Sequence, residues 1–365
     1  MNKPLVSIIT PSYNQGRFIR ETIESVLNQD YEYIEYIIID GGSGDNTLEV
    51  LEKYKNRITM ISEADKGQSD AINKGFRMAK GVIVAWLNSD DIYEKGCISR
   101  VVREFQKNRN IALVYGDGYI LDEAGCKVKK FEHTQEFDLW KLVNFWDYIM
   151  QPAAFFSREH LRQVGYLDVN LHYCMDWDLW IKLANAGEVQ YIEECLACSR
   201  EYAETKTSTG GKRRLKEIEF LLRKYSGKKN PLGIFSYRAS SLFIKYADKK
   251  ILSKFLGTWL SIVHAYLNYY MPRQDLEGLS GRPLEFCVPA FCNRCSFEID
   301  KKGLAKWGKL YVNIDGEQCA LLGKKEKHME LELLHSQRMH TIRVRSCFDF
   351  FLQKRNLRIF NIKLN

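Results

Sequence analysis

The densest group of chemistry-bearing side chains is the run Trp86-Leu87-Asn88-Ser89-Asp90-Asp91, which closes an apolar stretch. Two adjacent carboxylates repel each other, so the pair gains most when a cation or a hydrogen-bond donor stands between them. Oxygen ligands of this kind suit Mg²⁺ or Mn²⁺. These ions keep several waters and also take phosphate oxygens, and one held here would be a Lewis acid toward a diphosphate. Ser89-Asp90-Asp91 equally suits the cap of a following turn or helix. A second cluster, Asp40-Gly41-Gly42-Ser43-Gly44-Asp45, reads as a tight turn. Its glycines would also admit a ligand close to the backbone, where a carboxylate can accept from a base N–H. The spacing matches neither a phosphate-binding P-loop nor a dinucleotide fingerprint. The third cluster is Tyr173-Cys174-Met175-Asp176-Trp177-Asp178-Leu179-Trp180. Asp176 falls near the start of a helix, whose dipole favours the ionised form, and an ionised carboxylate at a pocket edge can take a proton from an attacking hydroxyl. A helix cap followed by a buried stripe of Trp177, Trp180, Ile181 and Ala184 is the plainer reading of the same segment.

These clusters are spaced along an alternation of strand and helix patterns. Apolar runs at residues 5–10, 34–39, 58–61 and 82–87 predict strands. Between them, Ile19, Ile23, Val26 and Leu27 recur at helical spacing, as do Leu48, Leu51 and Tyr54, and then Ala71, Ile72, Gly75 and Phe76. Such alternation predicts an α/β, Rossmann-like domain with a largely parallel sheet covered on both faces. Ligands on such sheets collect beyond the carboxyl ends of the strands. Ser12 to Asn14, Asp40 to Asp45 and Asn88 to Asp91 all fall at those ends. We therefore expect an α/β domain with a ligand site over residues 1–208 and a basic helical segment over 209–277. Short alternating runs after the turn at 278–283 predict an all-β sandwich over 278–365.

Composition narrows the partners. The 365 residues carry a net charge of +8. The stretch 211–254 has only Glu217, Glu219 and Asp248 against a run of lysines and arginines, an excess greater than that of the whole chain. This is either a solvated face or, with Phe235, Tyr237, Phe243, Tyr246 and Trp259 interleaved, an amphipathic surface over residues 211–271 for anionic lipid headgroups. No nucleic-acid motif accompanies the charge, so nucleic acid is not an expected partner. No run of 18 apolar residues predicts a membrane span, and residues 251–271 read as a buried or interfacial helix. The N-terminal residues lack a signal-peptide pattern, so a cytoplasmic location is expected, peripheral on the inner face of the membrane. Ten cysteines then stay reduced, although Cys195 with Cys198, and Cys287, Cys292 and Cys295, leave a zinc site open.

Residues 1–205 resemble the family 2 glycosyltransferases of the GT-A fold, of the bacterial polysaccharide-biosynthesis type. The resemblance is carried, in the family's order, by Val6 to Asn14, Ile39 to Thr47, Asp65 to Gly75, Trp86 to Asp91 and Asp176 to Trp180. It implies an inverting transfer from a nucleotide sugar, a UDP-hexose or UDP-N-acetylhexosamine, to a hydroxyl of a glycan or lipid-linked acceptor. It places the backbone of Thr10, Pro11, Ser12 and Tyr13, with Asp40, on the base and ribose. Asp65 and Lys66 fall along the nucleotide, Asp90 on the metal, Asn88 and Asp91 beside it near the donor sugar, and Asp176 as catalytic base. Gln151-Pro152 and Ala153-Ala154-Phe155 resemble an acceptor-side wall, and the β module resembles an accessory sandwich attached to some bacterial members. Three positions depart from the pattern. Asn88 stands for the first aspartate of the metal motif, Met175 for a glutamate before the base, and Tyr202 for a metal-binding histidine. Two alternatives follow: a carbohydrate-binding scaffold whose transferase site has decayed, which donor turnover would separate, and a sugar nucleotidyltransferase, for which a Gly-rich triphosphate loop is missing.

Overall fold

The computed structural model describes residues 3–245, 276–278, 284–288, 294–300, 310–314, 317–322, 328–333, 340–346 and 357–364. The chain divides into two compact units, one of Met1–Asp138 with Trp146–Lys229 and the other of Leu139–Phe145 with Asn230–Asn365. The helical segment expected over 209–277 is thus shared between them.

In the first unit β1 (Val6–Ser12), α1 (Ile19–Leu27), β2 (Ile34–Asp40), α2 (Thr47–Glu52), β3 (Thr59–Ser62), α3 (Gln68–Met78) and β4 (Ile83–Trp86) alternate as the periodicity predicts. There follow β5 (Ile92–Tyr93), α4 (Cys97–Lys107), β6 (Ile111–Leu121) and β7 (Lys127–Lys130). After α5 (Leu139–Asn144), which belongs to the second unit, come β8 (Ala154–Ser157), α6 (Arg158–Val164), α7 (Met175–Ala184), β9 (Glu188–Arg200), α8 (Lys206–Thr209) and α9 (Gly211–Ser226). The sheet runs β3-β2-β1-β4-β8-β6-β9-β5, with β7 paired to β6. β3, β2, β1 and β4 are parallel; β8 then runs antiparallel to both β4 and β6. The parallel half brings the ends of β2, β1 and β4 side by side at one edge, where the polar clusters were expected to meet.

Every residue of β1 and β4 is buried, because helices cover both faces. On one face Ile19, Ile23 and Val26 of α1 join Ile98, Val101 and Val102 of α4 in a single core with Ile8 and Ile38. On the other, aromatic rings interlock. Phe76 meets Trp86 and Phe156 edge-on at 5.9 and 5.5 Å, and Trp86 stacks on Trp180 at 5.5 Å. That stack ties α7, which carries Asp176, to the end of β4, which leads into Asp90. Gly75 lets α3 sit close on β1, since a Cβ there would fall 2.5 Å from Cγ2 of Ile9.

α9 packs on the first unit through Ile218, Leu221 and Leu222, while Lys212, Arg213 and Lys216 face solvent. Asp178, fully buried, holds it there: Lys224 Nζ and the Tyr225 hydroxyl reach Asp178 Oδ1 at 2.7 and 2.6 Å, and Lys182 Nζ lies 2.8 Å from Oδ2. Burial alone would raise this carboxyl's pKa, but the two ammoniums and the phenol outweigh it and hold it below the usual carboxylate range.

The second unit adds α10 (Leu232–Lys245), β10 (Leu276–Gly278), β11 (Leu284–Val288), β12 (Arg294–Asp300), β13 (Leu310–Ile314), β14 (Glu317–Leu322), β15 (His328–Glu332), β16 (His340–Ser346) and β17 (Leu357–Leu364). These strands form two four-stranded antiparallel sheets, β10-β17-β12-β15 and β11-β16-β13-β14. Met329, Leu331 and Leu333 are buried at alternate positions, as a half-covered sheet requires. The expected interfacial helix at 251–271, the lipid-facing residues 246–271 and Cys292 lie outside the described residues. No described helix is long and apolar enough to cross a membrane.

Candidate active site

The ends of β1, β2 and β4 open into a cleft of about 820 Å³. Of the residues expected to act, Pro11, Ser12, Tyr13, Asp65, Asn88, Asp90 and Asp91 line it. On its wall the buried Ser12 Oγ and Gln15 Oε1 have no hydrogen-bond partner among the described residues, so the wall holds unspent polar capacity. Tyr13 stands 62% exposed above it, an aromatic face open to a base. Gly41 leaves room for Asp65 in this position: a Cβ would sit 2.7 Å from Asp65 Oδ2 and 3.4 Å from the Tyr13 ring, and would push the Asp65 carboxylate aside.

Asp40 is fully buried and its carboxylate is spent on the loop itself. Oδ2 accepts from Gly42 N, Ser43 N and Ser62 Oγ at 3.1, 2.9 and 2.6 Å, and Oδ1 from Ser43 Oγ at 2.5 Å. Its place is therefore beneath the cleft, as the organiser of the turn. The Thr10 side chain is likewise buried, bonded to the Tyr36 hydroxyl at 3.0 Å. Lys66 is exposed between Asp65 and Gly67, its N–H donating to Asp70 Oδ2 at 3.1 Å.

At the end of β4 the two carboxylates differ. Asp91 is buried, accepting from Arg200 N on Oδ1 and from Asn88 Nδ2 on Oδ2, both at 3.0 Å. Burial and the neighbouring Asp90 charge push its pKa up to about 8, so it is largely protonated at neutral pH. Asp90 is half-buried on the cleft wall and accepts from the Tyr202 hydroxyl at 2.8 Å. Its pKa also rises, by burial, against the lowering effect of that bond. Arg200 is committed elsewhere, with Nε on the Asp90 carbonyl at 3.0 Å and Nη2 on Glu21 at 2.6 Å.

Asn88 is the hub. Its Oδ1 accepts from Gln68 Nε2 at 2.8 Å, and its Nδ2 also donates to Gln151 Oε1 at 2.8 Å. Among the described residues no three His, Cys, Asp or Glu side chains gather as a metal cage. One open carboxylate, Asp90, still fits a divalent ion of the kind bound by one or two carboxylates plus substrate phosphates. Gln151 thus belongs to the site, but Ala153, Ala154 and Phe155 do not wall an acceptor. All three are fully buried, Ala153 at the end of a short 3₁₀ helix and Ala154 and Phe155 in β8, with Phe155 stacked on Tyr93 at 5.3 Å.

Asp176 is the second residue of α7, half-buried, its Oδ1 accepting from Trp177 N at 2.8 Å. The helix start favours its ionised form, as the sequence suggests, but burial acts the other way. Burial raises its pKa above the ordinary carboxylate value despite Lys206 and Arg214 nearby. Asp147, whose pKa burial and the Asp176 charge drive well upward, is a second acidic group beside it. Nothing in its local sequence marks Asp147: it is a lone aspartate among aromatics. Glu217 of α9 was likewise read only as a charge on a basic helix. Its carboxylate accepts from the backbone N–H groups of His172, Tyr173 and Cys174 at 3.0, 2.7 and 3.3 Å, fixing the loop that leads into Asp176.

The model of the family described as "Glycosyl transferase family 2" matches residues 7–165. The putative teichuronic acid biosynthesis glycosyltransferase TuaG of Bacillus subtilis is 33% identical over 201 residues, covering 53% of this chain and 78% of the relative. This chain is a family 2 glycosyltransferase. The chondroitin synthase of Escherichia coli is 30% identical over 194 residues, covering 52% of the glycosyltransferase chain but only 28% of the synthase. Among solved structures, S. aureus TarS 1-349 in complex with UDP-GlcNAc superposes with a TM-score of 0.49 at 16% identity, covering 67% of this chain and 73% of that one. The GT-A fold of this glycosyltransferase follows from family membership and strand order, and the matched segment lies in the first unit apart from Leu139–Phe145.

Proposed function

We propose that the chain transfers a sugar from a nucleoside-diphosphate donor, a UDP-hexose or UDP-N-acetylhexosamine, to a hydroxyl of a glycan or lipid-linked acceptor in cell-surface polysaccharide synthesis, with inversion. The observation that carries this is the cleft at the ends of the parallel strands, where Asp65, Asp90 and the unpartnered Ser12 and Gln15 atoms converge. Tyr13 stacks on the base, and the backbone of residues 10–13 with Asp65 and Lys66 positions the nucleoside. Mn²⁺ or Mg²⁺ held by Asp90 would supply Lewis-acid neutralisation of the diphosphate. Asp91, kept neutral by burial, and Asn88 hold Asp90's end of the strand in place near the donor sugar. Asp176 takes the proton as the acceptor oxygen attacks the anomeric carbon from the face opposite the diphosphate. Its raised pKa brings it toward the operating pH, where a general base is most effective.

Family and site chemistry support this reading, as do relatives named for teichuronic acid biosynthesis and for chondroitin synthesis. The exposed basic residues of α9 would meet an anionic membrane carrying the acceptor. The test is nucleotide release from a panel of nucleotide sugars, with and without Mn²⁺. One donor should turn over, with Asp176→Asn lowering the rate by about 10²–10⁴-fold and Asp90→Ala abolishing stimulation by metal. Binding of donor without turnover, lipid-linked acceptors included, would favour a decayed site.

A further inference from the structure

Among the described residues, the cleft contains one cation whose charge the fold leaves under-used. Arg200 lines it but is spent: its guanidinium bonds the carbonyls of Asp90 and Glu123 and the carboxylate of Glu21, at 3.0, 3.1 and 2.6 Å. Lys206, the first residue of α8, also lines it and is half-buried. Its Nζ donates to the neutral Gln68 Oε1 at 2.8 Å and lies 5.9 Å from the Tyr173 ring centre. Among the described residues no carboxylate comes within ion-pair distance of it. An ammonium has three donors, so this one keeps capacity for an incoming acceptor. Burial accordingly lowers its pKa, with the charges of Asp176 and Glu217 acting the other way.

Its position is tied to the reacting end of the cleft. Gln68 accepts from Lys206 and donates to Asn88 at 2.8 Å, and Asn88 donates to Asp91 at 3.0 Å, so a continuous chain of hydrogen bonds joins Lys206 to the end of β4. At that end, among the described residues, Asp90 is the one open carboxylate for a divalent ion, with the Asn88 amide and the Tyr202 phenol beside it. A diphosphate held there keeps uncompensated negative charge, and a cation across the cleft supplies what is missing.

Resting on the transferase reading above, we propose that Lys206 is the protein's diphosphate-binding cation, leaving Gln68 to pair with the non-bridging oxygens of the donor. As the acceptor oxygen bonds to the anomeric carbon, the carbon–oxygen bond to the diphosphate breaks and its electron pair stays on the leaving oxygen. Lys206 remains an ammonium throughout and stabilises that charge; the acceptor's proton goes to Asp176. Lys206 is thereby a catalytic residue for the departure step.

The test is calorimetric binding of UDP and of uridine, without metal, to wild type, Lys206→Met and Lys206→Arg, each checked by thermal melting. If Lys206 meets the diphosphate, Lys206→Met weakens UDP at least tenfold and leaves uridine within twofold, and Lys206→Arg recovers most of the loss. UDP binding unchanged in Lys206→Met overturns the assignment while leaving the transferase reading intact. Equal loss of uridine and UDP also overturns it, because the lysine then only shapes the cleft. If wild type binds neither UDP nor the GDP and dTDP controls, the nucleotide-cleft reading fails together with this one.

Discussion

Glu217→Gln isolates the link between α9 and the catalytic end of α7. The wild-type carboxylate collects three successive backbone N–H groups, those of His172, Tyr173 and Cys174. Hydrogen bonds to a charged acceptor contribute about 1.5–3 kcal/mol each when well buried. The site is only half-buried, and glutamine keeps one accepting oxygen while turning an NH₂ toward the donors. A net loss of about 2 kcal/mol is therefore expected, which corresponds to roughly 30-fold faster local opening. Hydrogen exchange of the 172–174 amides should accelerate by about that factor, with amides of β1 and β4 unaffected. Turnover should fall while nucleotide binding holds, because Asp176 loses its fixed approach and the nucleoside pocket does not. Exchange at 172–174 within threefold of wild type would refute the reasoning.

Three further outcomes follow from the packing and the titrating groups. Asp178→Ala leaves Lys182 and Lys224 without their shared anion, and urea unfolding at pH 7 should show a loss of about 3 kcal/mol. Since its folded-state pKa is depressed, the contribution of Asp178 is present above about pH 4 and is lost as pH falls through the folded value; a difference between variant and wild type that grows as the pH is lowered below about 4 would contradict this. Asp91 has the opposite sign. With its folded pKa raised to about 8, its contribution is complete below about pH 4 and is lost as pH rises through 8. Wild-type stability should decline by on the order of 1 kcal/mol per pH unit between pH 5 and 8 relative to Asp91→Asn, and parallel melting curves would rule it out. Gly75→Ala forces a Cβ to within 2.5 Å of Ile9 Cγ2 and should destabilise by about 1–3 kcal/mol. A double-mutant cycle with Ile9→Ala should recover part of that, and strict additivity would place the strain elsewhere.

The chain's own order of residues was enough to determine the parallel half of the sheet and what stands at its edge. Residues such as Ile37, Ile38 and Ile39, buried on both faces, admit only a covered strand, and the polar runs that end β1, β2 and β4 then have one edge on which to meet. Asp90 and Asp176 could be singled out because they close or open elements with strong periodicity. What a side chain does with its lone pairs was decided by tertiary structure alone. Asp40 looks ligand-directed in sequence, yet in the fold Ser62 and its own loop supply hydrogen bonds to both of its oxygens. Asp176 looks ionised at a helix start, yet burial beside Asp147, 29 residues away in sequence, raises its pKa. Lys206 and Glu217 stand in a stretch whose composition speaks only of surface charge. Their partners, Gln68 and the 172–174 backbone, arrive from segments 138 and about 44 residues distant. Local pattern reports burial and element type because these repeat along the chain. Pairing of polar groups does not repeat, so it becomes visible only when the fold has brought the partners together.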